Sequence, residues 1–77
     1  MKSNGIEWYY HPTREYFATK FAGAELFITP IPVMPIQWKV SIKRKGVPKI
    51  SIRSPFNDFD EAAKAIMKLA KPMVPKL

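Results

Sequence analysis

The chain has 77 residues, 13 Lys and Arg against 6 Asp and Glu, 47% hydrophobic residues and no cysteine. That length gives one domain with a thin core, burying about 60% of the surface its unfolded form exposes, while the apolar content excludes a disordered basic tail. The missing cysteines exclude disulfides and thiolate metal sites, and the net charge of +7 suits an anionic partner.

Met1 to Gly5 is polar and reads as a loose start. No apolar run follows Lys2, so no secretory signal is expected, and no apolar stretch is long enough for a membrane span. A cytoplasmic setting is the expectation. Ile6 to His11 is aromatic and β-prone, and His11-Pro12-Thr13-Arg14 reads as a turn. Glu15 to Ala22 is ambiguous. Tyr16, Phe17, Lys20 and Phe21 have helical spacing, yet Phe17, Thr19 and Phe21 alternate, and a turn at Ala22-Gly23-Ala24 would pair the segment with the next, so a strand is preferred. From Glu25 to Ile31, Leu26 and Ile28 point inward, while Glu25, Phe27 and Thr29 point outward. Three prolines between residues 30 and 35 predict an extended connection instead of a central strand.

Gln37 to Ser54 reads as two strands turned back on each other at Lys45-Gly46-Val47-Pro48. Trp38, Val40 and Ile42 share one face with Ile50 and Ile52, and antiparallel pairing sets them against one core. The reverse carries Lys39, Ser41 and Lys43 on the first strand and Lys49, Ser51 and Arg53 on the second. This stretch holds Lys39, Lys43, Arg44, Lys45, Lys49 and Arg53 without one acid, so six of the seven net positive charges fall on it.

Asp58 then stands as an N-cap three residues before Glu61, opening a helix that Pro72 stops. Phe59, Ala62, Ala63, Ile66, Leu69 and Ala70 form its apolar stripe, opposite Asp60, Glu61, Lys64, Lys68 and Lys71. Residues 73–77 read as a mobile tail. The fold class that follows is α+β: a three- to four-stranded antiparallel β-meander in a single domain, with one C-terminal helix packed on one face.

Catalytic patterns are wanting. His11 is the single histidine, the three glycines are too scattered for a phosphate loop, and capping accounts for the acids at the helix start. No enzymatic activity and no cofactor are expected.

The run Trp38-Lys39-Val40-Ser41-Ile42-Lys43-Arg44-Lys45-Gly46, a short second strand, then Phe56 and Asp60-Glu61-Ala62 opening a helix, resembles the N-terminal arm-type DNA-binding domain of phage tyrosine integrases. The resemblance covers residues 37–71. It implies a sheet whose open face enters the DNA major groove, with Lys39, Ser41, Lys43, Lys49, Ser51 and Arg53 facing the bases and Arg44 and Lys45 reaching phosphates. The chain departs from that family in lacking a recombinase domain and in placing 36 neutral, aromatic-rich residues before the hairpin. A small phage-type protein that blocks an acidic surface of a host nucleic-acid-handling or defence complex is the competing expectation. A homodimer through Trp8, Tyr9, Phe27 or residues 31–36 is a third, and a lysine face that only keeps the protein soluble is a fourth. For duplex DNA, about five phosphate contacts would give a slope near −4.5 in log K against log salt.

Overall fold

The computed structural model describes residues 1–52 and 55–70. Seven strands precede one helix: β1 (Lys2–Ser3), β2 (Ile6–Glu7), β3 (Tyr9–His11), β4 (Tyr16–Phe21), β5 (Ala24–Ile31), β6 (Gln37–Arg44), β7 (Ile50–Ser51) and α1 (Phe59–Ala70). β3 to β7 form one antiparallel sheet in sequence order, and β1 with β2 forms a separate hairpin. The expected meander and helix are both present, with a wider sheet than expected.

The segment that could have been helix or strand is β4. Its neighbours decide the matter: Ala22 and Gly23 both have positive φ (52° and 76°) and join the partners Phe21 and Ala24. Two residues at positive φ match the right-handed twist of a tight hairpin. Gly23 therefore closes a β-turn and does not cap a helix.

The first five residues enter a hairpin, with Lys2 and Ser3 paired to Glu7 and Ile6. Asn4 and Gly5 make a second such turn between the partners Ser3 and Ile6. The hairpin is anchored to the start of α1, where the Ser3 hydroxyl donates to the Asp60 carboxylate and the Asn4 amide donates to the Asp60 carbonyl at 2.9 Å. The indole N–H of fully buried Trp8 donates to the Ser3 carbonyl at 3.3 Å, so its polar edge is satisfied inside the core.

Strand β5 runs through Pro30 and Ile31, so the connection begins two residues later than the prolines predict. The register explains the tolerance. Trp38, the partner of Pro30, exchanges both its backbone hydrogen bonds with Phe56 on its other side (2.7 and 2.9 Å). Pro30 and Trp38 are thus a non-hydrogen-bonded pair, and the missing proline N–H would have pointed toward β4, whose pairing with β5 ends at Ile28. The ladder loses nothing.

The core lies between α1 and one sheet face. Leu26, Ile28, Val40 and Ile42 meet Phe59, Ala62, Ala63, Ile66 and Ala70, with Trp8 closing one end. The small alanines let the helix approach the sheet, and Phe59 fills the space left. Its ring meets Trp8, Phe17 and Trp38 at centroid distances of 5.8, 5.1 and 5.2 Å, edge to face in each case. Such geometry suits the ring quadrupole. The helix begins as expected, with the Glu61 N–H donating to the Asp58 carboxylate at 3.4 Å.

Two residues assigned to the core do not reach it. Ile50 pairs with Ile42 on the correct face, but it sits on the short edge strand and is 52% exposed. Leu69 is also exposed. Trp8 and Phe27, proposed as dimer contacts, are buried, whereas Tyr9, Val33, Met34 and Ile36 are exposed.

Candidate nucleic-acid interface

The face of the five-stranded sheet opposite α1 is built by simple alternation. On β6 the core residues Trp38, Val40 and Ile42 leave Lys39, Ser41 and Lys43 pointing the other way. On β7 the pairs Ser41↔Ser51 and Ile42↔Ile50 put Ser51 on this outer face, and the ammonium of Lys49, just before β7, lies over the Phe27 ring on the same side. Three steps along β6, from Ser41 to Trp38, are matched by five along the edge, from Ser51 to Phe56. Alternation therefore cannot be carried from Ser51 to Arg53, which lies outside the described residues.

Lys39, Lys43 and Lys49 are exposed and share this face, as expected. Lys45 is exposed at the tip of the β6–β7 turn. Ser41 is placed correctly but is 5% exposed, because Lys39 and Lys43 flank it on β6 while Phe27 and Ser51 lie across from it. It has no free surface to offer a ligand. Arg44 departs furthest from expectation. It pairs with Ala24 on the helix side, and its guanidinium donates to the carbonyls of Leu69 and Ala70 at 3.4 and 2.9 Å. A cation there satisfies carbonyls at the end of α1 and opposes the negative end of its dipole, so Arg44 serves the fold.

The rest of the outer face comes from β3, β4 and β5, and sequence reasoning left most of it aside. Tyr9 and His11 on β3, Tyr16, Ala18 and Lys20 on β4, and Glu25 and Phe27 on β5 all point this way. The signal was present in the alternation of Phe17, Thr19 and Phe21, which sends the residues between them outward. The rings form a chain, with His11 5.5 Å from Tyr16 and Tyr16 5.0 Å from Phe27. The Lys49 ammonium lies 4.3 Å from the Phe27 centroid and 5.8 Å from that of Tyr16, a cation–π arrangement that covers Phe27 with methylenes.

The face thus has two halves. β3, β4 and the outward positions of β5 give an aromatic half, and β6 and β7 give a basic half. A groove of about 630 Å³ touches Tyr9, Ala18 and Lys20, and a cleft of about 460 Å³ touches Lys43, Lys45 and Gly46; Lys20 and Glu25 border both. Among the described residues the single ion pair joins the Met1 ammonium to Glu7 at 2.5 Å, so none of these lysines is within 4.0 Å of a carboxylate there. Nor, among the described residues, is there a cluster of three potential metal ligands, or a helix long and apolar enough to cross a membrane. In comparisons with known proteins, no family model, no curated protein and no solved structure matches the chain.

Proposed function

We propose that this protein binds nucleic acid through the outer face of its five-stranded sheet. The observation that carries the reading is the gathering of Lys20, Lys39, Lys43 and Lys49 on that face, where Glu25 is the one acid on β3 to β7 and Glu7 borders the groove beside Tyr9. Lys20 on β4 and Lys43 on β6 flank Glu25 two strand spacings apart, about 9–10 Å, comparable with the physiological screening length of about 8 Å, so their fields overlap.

Fluorescence anisotropy with labelled oligonucleotides over a salt series tests the reading. Four phosphate contacts give a slope of about −3.6 for a duplex or −2.8 for a single strand. Replacing Lys39, Lys43 and Lys49 together by Ala lowers affinity and brings the slope to about −0.7 to −0.9. Affinity and slope untouched by that triple substitution would overturn the proposal.

A further inference from the structure

We infer that the ligand of this face is a single strand, lying along β5 and β6 with its bases on the aromatic half and its phosphates on the basic half. The inference rests on the nucleic-acid reading and specifies it. A duplex shows its phosphates on the outside and hides its base faces in the stack, so exposed rings beside a basic stripe have nothing to stack on. A single strand is two-sided in the manner of this surface, with a charged backbone along one edge and flat unsaturated rings along the other. The two stripes match that division: Tyr16 and Ala18 on β4 and Lys39 and Lys43 on β6 are two strand spacings apart, about 9–10 Å.

Exposure and shape agree. Tyr9 is 66% exposed and Tyr16 half-buried, while small Ala18 sits opposite Tyr9 in the register and helps line the 630 Å³ groove. That volume is within the range of ligand-holding clefts. Phe27, beneath Lys49 and against Tyr16, is the packed support that holds both in place. Width also argues against groove insertion. A major groove about 12 Å wide takes a two-stranded ribbon, whereas five strands span about 19 Å between outer axes.

The adjacent tyrosines of β3 supply the test. Tyr9 points to the outer face; Tyr10, also about half exposed, points to the helix side, where its ring lies 5.0 Å from Phe17. Anisotropy titrations would compare a mixed-sequence single-stranded DNA, the same sequence as RNA, and the DNA duplex. The expected result is a single strand of either sugar bound at least about tenfold tighter than the duplex, with the better sugar identifying the ligand. Tyr9→Ala should weaken single-strand binding about 5- to 150-fold, with the salt slope unchanged, while Tyr10→Ala changes it no more than about twofold. Far-UV circular dichroism confirms that both variants fold. Equal or tighter duplex binding, or indifference to Tyr9→Ala, would overturn the single-strand inference and leave the nucleic-acid reading standing. No binding to any of the three at low salt would remove both.

Discussion

Arg44→Ala separates the two ways of using a cation in the basic hairpin. The native guanidinium donates to two carbonyls at the end of α1, and the contact to Ala70 is partly buried. Hydrogen bonds from a charged donor contribute about 1.5–3 kcal/mol when well formed, and a cation at a helix C-terminus adds about 0.3–1 kcal/mol. Partial exposure and the long Leu69 contact reduce the sum, so a loss of about 1.5 kcal/mol is expected. Unfolding a 77-residue chain carries an entropy of about 160 cal/mol/K near its midpoint. The midpoint should therefore fall by about 6–12 °C. Thermal denaturation followed at 222 nm measures it, and anisotropy at a temperature where the variant is folded measures nucleic-acid affinity. Arg44→Ala should lower the midpoint with affinity nearly unchanged; the Lys39, Lys43 and Lys49 triple variant should do the reverse. An Arg44→Ala protein of native stability and much weaker binding would refute the capping role.

Phe59→Ala removes the ring that touches Trp8, Phe17 and Trp38 and should cost about 3–5 kcal/mol. Against a total of about 4–12 kcal/mol for a chain of this size, urea titration should find it marginal or unfolded. The hydrogen bond from the Met1 ammonium holds the Glu7 carboxyl below its ordinary 4.5. The depressed carboxylate stabilises the fold above its unfolded pKa and loses that contribution as pH falls through the folded value. A carbon-detected titration should place the Glu7 midpoint low and return it upward on N-terminal acetylation; an unmoved midpoint would contradict the pair. Lys49→Met should keep Phe27 covered, change stability by no more than about 0.5–1 kcal/mol, and reduce the salt slope by about 0.7–0.9.

Strands with strict alternation were legible in the sequence. Leu26 and Ile28 in β5, and Val40 and Ile42 in β6, lie where period two puts them, and Asp58 caps α1 as its spacing from Glu61 predicts. What failed was whatever another element decides. Ile50 has the right face, but a two-residue edge strand leaves it half exposed. Ser41 has the right face, and its neighbours cover it. Arg44 looked like a turn residue because the turn follows at once, yet one further step of alternation from Lys43 carries it to the helix side. The Asn4-Gly5 hairpin carried a strong local turn signal. Its anchoring is tertiary: a contact with Asp60, 56 residues away, and the burial of Trp8 are invisible to any local pattern.

The division of the outer face follows from the topology. In a meander, each strand lies beside its predecessor, so position along the chain becomes position across the sheet. The 36 residues before the hairpin are rich in aromatic residues and carry three basic and three acidic side chains; the next 18 carry six basic and none acidic. Folded in sequence order, β3 to β7 turn that lengthwise change of composition into a sideways one. Alternation then selects from each half the residues that face away from α1: Tyr9, His11 and Tyr16 from the first, Lys39, Lys43 and Lys49 from the second. A crossover that placed β6 or β7 among β3 to β5 would have interleaved these sets. The ordered sheet keeps them apart, with rings along one side and ammonium groups along the other, and that separation is what the proposal of an unpaired polynucleotide rests on.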